Sequence, residues 1–356
     1  MQPTTANTKI LQLKGSYALE AGSLLSDVEI AYHTYGKLSE AKDNVIWVCH
    51  ALTANSDVFD WWSGLFGEDD LFNPKNHFIV CANILGSCYG TTNALSFLPQ
   101  SNKRYFHEFP DITIRDIAGL HKILADYLKV DKVQLLIGGS MGGHQALEWA
   151  LLEPDRFVGL SLIATSAIHS PWGLAFNASQ RMAIANDSTW SQNNATAGIE
   201  GMKVARSIAL LSYRNFETYE ASQTENDPDY IFPKKAAGYQ QYQGDKLARR
   251  FHAFAYWTLS KAMDSMNAGR GRGGLESALS QVKAKTLVIT LENDLLFPKS
   301  DQAFLARHIP SARHVEVPSL YGHDGFLIET KKLTSLLKDF IGQELSLWGG
   351  FHRVSY

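Results

Sequence analysis

The chain has 356 residues, of which 45% are hydrophobic, so it can bury one large core or two ordinary ones. It carries 33 lysine and arginine residues against 36 aspartate and glutamate residues, and the net charge of −3 favours neither nucleic acid nor an anionic membrane as a partner. The first nine residues are polar, and no stretch reaches the about 20 apolar residues that cross a bilayer, so we expect no secretory signal and no membrane anchor.

The three cysteines, Cys49, Cys81 and Cys88, are too few and odd in number for a disulfide framework. Cys49 and Cys81 lie within apolar runs, where a free cysteine behaves as a small buried hydrophobic residue. We therefore expect reduced thiols and a cytoplasmic location. The sequence also lacks the His and Cys spacing of a metal site, so we expect no bound metal.

Short, β-branched apolar runs alternate with helical patterns along much of the chain. Such runs, bounded by turns, are typical of strands that are buried on both faces of a sheet. The predicted strands are Val45–Cys49, Phe78–Ala82, Val133–Ile137, Val158–Ala164, Thr286–Thr290 and His314–Val317. Thr113–Leu128 has apolar residues at helical spacing, and Thr113 with Asp116 resembles a capping box. This alternation predicts an α/β fold with a mainly parallel sheet and helices on both faces.

The alternation stops between residues 166 and 275. The patterns that can be recognised there are helical, over Ala197–Ser212 and Leu247–Met266. We interpret residues 166–275 as a helical lid that is inserted into a core formed by residues 1–165 and 276–356.

Two features lie at the end of the lid and beyond it. Gly269–Gly274 (GRGRGG) follows a predicted helix and not a strand, so it is not a dinucleotide-binding fingerprint. We expect it to be a hinge between lid and core, with a phosphate-binding loop as the alternative. The last strand is followed by a predicted helix from about Phe326 to Ile341.

The strongest local signal is GGSMG at Gly138–Gly142, which has the G-x-S-x-G pattern. It stands between a predicted strand and the predicted helix Gln145–Leu151. In this context the serine sits on a sharp, strained turn at the edge of the sheet, and the glycines leave room for neighbouring backbone. The start of the helix also favours the negative charge that develops there. The pattern predicts Ser140 as a nucleophile; the alternative is a glycine-rich turn with an idle serine.

A serine nucleophile needs a base, and the base needs an orienting carboxylate. Asp294 follows the predicted strand Thr286–Thr290, and His323 follows the next predicted strand. Both would then lie at the carboxyl edge of the sheet, beside Ser140. The order Ser, Asp, His is that of the α/β-hydrolase fold. Glu292 competes with Asp294 for the role of the acid, but we expect Glu292 to fall within the strand.

Acyl transfer also requires backbone N–H donors for the oxyanion. Met141, directly after the nucleophile, is one candidate. Leu52, in the loop after Val45–Cys49, is the other. His50 in the same loop is expected to brace that loop, with a second base as the alternative.

With these residues in place, the chain resembles the homoserine O-acetyltransferase family of α/β-hydrolase-fold enzymes, which act in methionine biosynthesis. The similarity runs through most of the chain in the order of the family's motifs. The matching stretches are His50–Thr53 (HALT), Asp60–Trp62 (DWW), Asn83–Thr92 (NILGSCYGTT), Gly138–Trp149 (GGSMGGHQALEW), Gln180–Ile184 (QRMAI), Tyr213-Arg214, Tyr242–Gly244 (YQG), Gly269–Gly274 (GRGRGG), Asp294–Pro298 (DLLFP) and Gly322–Leu327 (GHDGFL).

The resemblance implies a ping-pong reaction without a cofactor. Ser140 would take an acetyl group from the substrate acetyl-CoA, and the hydroxyl of L-homoserine would accept it, with His323 as the base in each half. The resemblance also implies that Arg214 binds the carboxylate of the amino acid, a task that suits a guanidinium, and that Asp324 binds its ammonium group. Without the resemblance, Arg214 and Asp324 would be interpreted as members of surface or lid ion pairs. A homodimer formed through the lid helices is a further implication.

The chain departs from the family pattern at several positions in the core and lid. His144 stands where the family commonly has Met, and His252, Phe254 and Trp257 stand where Asp, Asn and Leu are more frequent. These departures leave the acyl donor and the acceptor open, so succinyl-CoA or serine are alternatives within the family. A simple esterase with the same three residues, and with water as the acceptor, is the alternative from another class.

Overall fold

The structure is a computed structural model, and it describes residues 7–345. The strands in this range are β1 (Lys9–Gln12), β2 (Ser16–Ala18), β3 (Leu24–Ser26), β4 (Glu29–Tyr35), β5 (Val45–Cys49), β6 (Phe78–Ala82), β7 (Val133–Gly139), β8 (Phe157–Ile163), β9 (Lys285–Leu291) and β10 (Ala312–Val317). Eight of them form one sheet in the order β1-β4-β6-β5-β7-β8-β9-β10, and β2 pairs with β3 separately. The six strands from β5 onward run parallel, whereas β1 and β4 pair antiparallel at one edge.

The six strands that the apolar runs predict are confirmed, with ends that differ by one or two residues in four of them. Strand β7 extends two residues beyond its predicted end, through Gly138 and Gly139, because these glycines pair with Leu162 and Ile163 of β8. This pairing carries β7 directly into the turn at Ser140.

The helices surround this sheet. They are α1 (Val58–Trp61), α2 (Ile114–Tyr127), α3 (Met141–Leu152), α4 (Pro171–Ala185), α5 (Ile199–Tyr213), α6 (Phe216–Gln223), α7 (Lys235–Ala248), α8 (Ala253–Asp264), α9 (Leu275–Leu279), α10 (Lys299–His308), α11 (Gly325–Ile328) and α12 (Thr330–Phe340). The predicted capping box of α2 is confirmed, since the Asp116 N–H donates to Thr113 Oγ1 at 3.2 Å and the Thr113 N–H donates to Asp116 Oδ2 at 2.8 Å. Within residues 7–345 no helix has the length and apolar character needed to cross a membrane.

Helices α4 to α8 follow β8 and precede β9, and we refer to residues 166–275 as the lid. Its predicted helix Leu247–Met266 is wrong at its start, because α7 ends at Ala248 and α8 begins at Ala253. His252 caps the new helix, where its Nδ1 accepts the N–H of Ala255 at 2.9 Å. The division of the chain into core and lid as separate domains stays a prediction.

The predicted C-terminal helix is interrupted and not continuous. Helix α11 ends at Ile328 and α12 begins at Thr330, with Glu329 between them in a non-helical conformation. Apolar spacing alone does not reveal this break, because both short helices keep an apolar face toward the sheet, with Phe326 and Leu333 buried.

The sheet is buried on both faces. Along β5, Ile46 and Val48 belong to one apolar cluster and Trp47 belongs to the other, and none of the three has exposed surface. Helices α2 and α3 cover the Trp47 face. The carboxyl ends of the parallel strands therefore meet at one rigid edge, which positions the site described below.

The loop Gly269–Gly274 joins α8 to α9 but is tied to the core by ion pairs. Arg272 Nη2 lies 2.6 Å from Glu148 Oε1, and Arg115 Nε lies 2.6 Å from the same oxygen. Arg270 Nη2 lies 2.8 Å from Glu20 Oε2. The expected hinge is thus an anchored connection, because a hinge requires a backbone that few contacts hold.

Candidate active site

Ser140 occupies the sharp turn between β7 and α3. Its φ of 57° lies in the left-handed region, which costs free energy for any residue but glycine. The turn is held by neighbouring loops: the Ser140 N–H donates to Ile163 O at 3.0 Å, and Thr165 Oγ1 donates to Ser140 O at 2.9 Å. This is the strained strand-to-helix turn that the G-x-S-x-G pattern predicts.

The glycines of the turn are required by close backbone contacts. A Cβ at Gly142 would lie 2.1 Å from Cys49 O, and a Cβ at Gly138 would lie 2.2 Å from Gly142 O. Because these neighbours are backbone atoms, they cannot move aside as a flexible side chain would. The contact at Gly142 also presses the loop after β5 against the serine turn.

Ser140, His323 and Asp294 form a chain of hydrogen bonds. Ser140 Oγ lies 2.9 Å from His323 Nε2, and His323 Nδ1 lies 2.8 Å from Asp294 Oδ2. The second carboxylate oxygen, Asp294 Oδ1, accepts the N–H groups of Leu296 and Phe297 at 2.8 and 2.9 Å. All three side chains are buried. The structure thus brings together the three residues that the sequence order predicts, in the geometry of a nucleophile, a base and its orienting acid.

Asp294, and not Glu292, takes the position of the acid in this geometry. The prediction that Glu292 falls within the strand is wrong. Strand β9 ends at Leu291, so Glu292 lies in the turn after the strand and not within it. Its N–H donates to Val317 O at 3.0 Å, and its side chain is exposed. Glu292 fails as a competitor because it points to solvent.

The surroundings of His323 set its pKa. Burial by itself lowers the pKa of this imidazole, but the negative charge and hydrogen bond of Asp294, together with the charge of Asp324, outweigh burial and raise it. The aromatic rings of Tyr213, Phe297 and Phe326 stand 5.6, 5.3 and 5.4 Å from the His323 ring. Tyr213 and Phe297 fall within family-like stretches, but the sequence offers no signal that they enclose the base.

Leu52 and Met141 hold the positions expected of oxyanion donors in the chain. Leu52 lies in the loop after β5, and Met141 is the first residue of α3, whose N–H has no partner within the helix. Neither N–H donates a hydrogen bond to any residue in the range 7–345. Both N–H groups are therefore free to donate to a ligand, and their role as oxyanion donors stays a prediction.

His50 braces the loop that contains Leu52. Its Nε2 accepts the Ile84 N–H at 3.1 Å, so Nδ1 carries the proton and donates to Ala51 O at 2.9 Å. Burial lowers the pKa of His50 to about 4, which keeps the imidazole neutral. Gln145 adds a second brace, because its Nε2 donates to His50 O at 2.9 Å. These contacts match the structural role that we expect for His50 and leave it no access to a substrate.

Arg214 and Asp324 are brought together by the lid and the His323 loop. Arg214 Nε lies 2.9 Å from Asp324 Oδ2, and the two side chains are 19% and 15% exposed. Arg214 directly follows α5, and its backbone carbon would be 3.5 Å from a Cβ at Gly322. The lid backbone thus packs against the turn that carries His323.

His144 lies on α3, one helical turn beyond Ser140, and is fully buried. Its Nε2 lies 3.1 Å from Ser166 Oγ, and its ring stands 5.4 Å from that of Phe297. Burial and the proximity of His169 and His323 hold the pKa of His144 well below its ordinary value, so the ring is neutral. Nowhere in the described chain do three or more His, Cys, Asp or Glu side chains cluster as metal ligands.

The three cysteines are free thiols and buried, as the sequence analysis expects. Burial raises the pKa of Cys88 to about 12 and raises that of Cys49 further. Thiols in this state are poor nucleophiles at neutral pH. Ser140 is accordingly the candidate nucleophile on this edge of the sheet.

Comparisons with known proteins agree with this fold. The family model of the α/β-hydrolase fold matches residues 44–330. A homoserine O-acetyltransferase from Cyclobacterium marinum is 45% identical over 334 residues, which cover 93% of this chain and 94% of that protein.

Solved structures share the fold at lower identity. The crystal structure of a homoserine O-acetyltransferase from Bacillus anthracis superposes with a TM-score of 0.85 at 21% identity, over 95% of this chain and 98% of that one. Esterase E22 superposes with a TM-score of 0.84, also at 21% identity, over 94% and 99% of the two chains. The fold alone thus fits transferase and esterase equally, whereas the close sequence relative decides the family. The chain belongs to the homoserine O-acetyltransferase family of the α/β-hydrolase fold.

Proposed function

We propose that the protein transfers an acetyl group from acetyl-CoA to the hydroxyl of L-homoserine through an acetyl-Ser140 intermediate. The observation that carries the proposal is the hydrogen-bonded chain of Ser140, His323 and Asp294 in a chain that is 45% identical to a homoserine O-acetyltransferase over almost its whole length. The residues that bind and react are all supplied by the chain, and no cofactor is needed.

The first half-reaction acylates Ser140. His323 Nε2, 2.9 Å from Ser140 Oγ, takes the hydroxyl proton as Oγ attacks the thioester carbonyl. The negative charge that forms on the carbonyl oxygen is stabilised by the N–H groups of Leu52 and Met141. The tetrahedral intermediate then collapses, the C–S bond breaks, and the thiolate of CoA takes the proton from His323.

The second half-reaction runs the same steps with another nucleophile. The homoserine hydroxyl gives its proton to His323 and attacks the ester carbonyl. The bond to Ser140 Oγ breaks, and Oγ takes the proton back from His323, so O-acetylhomoserine leaves a regenerated enzyme. Asp294 holds the imidazole in the required tautomer and stabilises its protonated form in both halves.

Arg214 and Asp324 are proposed to select the amino acid acceptor. A zwitterionic amino acid presents a carboxylate and an ammonium group, which match a guanidinium and a carboxylate. The two residues stand beside the base, and Arg214 Nε lies 2.9 Å from Asp324 Oδ2. An esterase that uses water as its acceptor has no need of this pair, which favours a transferase. Succinyl-CoA as donor and serine as acceptor are tested as alternatives below.

We further propose that the protein is a cytoplasmic homodimer that assembles through the lid. Three large apolar side chains of the lid, Phe216, Ile231 and Phe232, are 73%, 84% and 77% exposed. Ile231 and Phe232 are neighbours in the chain, and contiguous exposed apolar surface is typical of a face that binds a partner. Sedimentation velocity of the purified protein tests the dimer, and a monomer at micromolar concentration would contradict it.

The function is tested by following the release of free CoA thiol. Purified protein is incubated with L-homoserine and either acetyl-CoA or succinyl-CoA, beside an arm with L-serine, an arm without acceptor, and Ser140→Ala. We expect release that requires both acetyl-CoA and homoserine and that is lost in Ser140→Ala. Preference for succinyl-CoA or serine would change the substrate and keep the mechanism, whereas release without an acceptor would make the protein a thioesterase.

A further inference from the structure

A cavity of about 730 Å³ lies between the lid and the loop that follows β5. The core side of its wall includes Ala51 and Thr53, which flank Leu52, and Leu327, which follows Phe326. The lid side includes Arg206 and Lys246. The cavity therefore borders the oxyanion loop, and its size is within the range of a pocket for a large organic ligand.

The lid contributes three cations to this cavity. They are Arg206 of α5, Lys246 of α7, and Arg250 just after α7. No carboxylate of the described chain lies within 4.0 Å of their nitrogen atoms, although most other lysines and arginines near the lid have such a partner. Positive charge thus gathers here without being neutralised by a direct ion pair.

Two carboxylates also line the cavity, and neither pairs with the cations. Asp57 accepts a hydrogen bond from Tyr35 Oη at 2.5 Å and from no cation, and Asp60 is exposed on α1. His33, another residue of the wall, has its pKa lowered by burial and is neutral at pH 7. With three cations against two carboxylates, the wall is positive, and its positive part lies on the lid.

Two of the three cations contact residues that neighbour the catalytic groups. Arg250 Nη1 donates to Thr53 O and to Tyr89 Oη, each at 2.5 Å, so it holds the residue next to Leu52. Arg206 Cζ lies 5.3 Å from the centre of the Tyr213 ring, and that ring stands 5.6 Å from the His323 ring. The lid cations thus contact residues that neighbour the oxyanion loop and the base.

We propose that this cavity binds the phosphate groups of acetyl-CoA through Arg206, Lys246 and Arg250. The inference rests on the proposed function, because the acyl donor is the one substrate of that reaction that carries phosphates. Guanidinium and ammonium groups are the side chains that recognise phosphate. Arg250 keeps donors for this role, since a guanidinium has five N–H groups and Nη1 alone contacts Thr53 and Tyr89.

Lys246 is the residue on which to test the proposal. Its side chain is exposed and makes no ion pair within the described chain, so Lys246→Gln and Lys246→Glu should leave the fold intact. Lys235→Gln is the matched control, because Lys235 lies at the other end of the same helix and outside the cavity. The quantity to measure is kcat/KM for the donor at saturating homoserine, which in a ping-pong reaction reports the acylation half alone.

Three acyl donors distinguish binding of the phosphate groups from binding of the thioester. Acetyl-CoA carries all phosphates, acetyl-dephospho-CoA lacks the 3′-phosphate, and acetyl-N-acetylcysteamine has none. We expect Lys246→Gln to lower kcat/KM for acetyl-CoA by about threefold to fivefold, as for a single exposed ion pair, and Lys246→Glu to lower it further. Added salt should lower kcat/KM for acetyl-CoA in the wild type as well. The kcat/KM for acetyl-N-acetylcysteamine, which has no phosphate, should change neither with the Lys246 substitutions nor with added salt.

Two results would overturn the inference. One is an unchanged kcat/KM for acetyl-CoA in Lys246→Glu, and the other is an equal loss with acetyl-N-acetylcysteamine, which would mean a distorted site. A response shared by acetyl-CoA and acetyl-dephospho-CoA would support binding of the pyrophosphate, and a response confined to acetyl-CoA would support binding of the 3′-phosphate. If the wild type fails to use acetyl-CoA at all, the proposed function fails, which is a distinct outcome.

Discussion

Arg214 Nε lies 2.9 Å from Asp324 Oδ2, so a residue of the lid is bound to the residue that follows His323 in the chain. Each member of this pair is mostly removed from water, and each neutralises the charge of the other. In the proposed function, an amino acid zwitterion replaces both halves of this interaction at once, with its carboxylate on Arg214 and its ammonium group on Asp324. On that proposal, the pair couples recognition of the acceptor to the position of the base.

Arg214→Gln should weaken binding of the acceptor and leave the donor reaction unaffected. Losing one charge-assisted contact to the carboxylate should raise KM for homoserine about tenfold or more. Steady-state kinetics with each substrate varied in turn measure this, with Arg307→Gln on the exposed face of α10 as the control. A tenfold loss in kcat/KM for acetyl-CoA would instead give Arg214 a role in the donor half or in folding.

Asp324→Asn should shift the pH dependence of acylation to lower pH. The charge of Asp324 helps to raise the pKa of His323, so its removal lowers that pKa. His323 acts as a base only when it is neutral, and activity is lost as the pH falls through its pKa. The acid limb of kcat/KM for acetyl-CoA reports the pKa in the free enzyme and should therefore move to lower pH. An acid limb that stays at the same pH or moves to higher pH would show that Asp324 does not raise the pKa of His323.

Asp294→Asn and Glu292→Gln form a matched pair that tests the identity of the acid. Asn at position 294 cannot hold the Nδ1 proton of His323 as the carboxylate does, so kcat should fall about 10³- to 10⁴-fold. Glu292→Gln should keep wild-type kcat, because its side chain is exposed. Circular dichroism checks that both variants are folded. Comparable losses in the two variants would contradict the assignment.

The site could be predicted from the sequence because its residues follow strands that are easy to recognise. Strands buried on both faces give continuous apolar runs, and their carboxyl ends must share one edge. That rule places Ser140, Asp294 and His323 together although they are up to 183 positions apart. The strands β1 to β4 escape prediction, because β1 to β3 are short with mostly exposed residues and β4 pairs antiparallel near the edge.

Features that depend on distant partners could not be predicted in the same way. Glu148 follows the nucleophile on α3, yet its partners Arg115 and Arg272 come from α2 and from the last loop of the lid. No spacing in the sequence links these three residues. The pairing of Arg214 with Asp324 is equally invisible, because it joins the lid to a turn that lies 110 residues later.

Glu148→Gln should destabilise the fold through this ion cluster. The Glu148 side chain is 3% exposed, and its loss of charge leaves two guanidinium groups without their shared carboxylate. We expect the free energy of unfolding to fall by about 3 kcal/mol. Lys283→Gln, in the exposed pair with Asp155, should leave the midpoint of urea unfolding almost unchanged. Equal midpoints for the two variants would show that the cluster adds no stability.

The most direct test of the account is the mass of the intact protein after brief incubation with acetyl-CoA and no acceptor. The account predicts a covalent increase of one acetyl group, located on the peptide that contains Ser140, which homoserine removes with release of O-acetylhomoserine. Ser140→Ala should show no increase. A protein that turns over both substrates without ever carrying the acetyl group, or that carries it on another residue, would contradict catalysis through acetyl-Ser140.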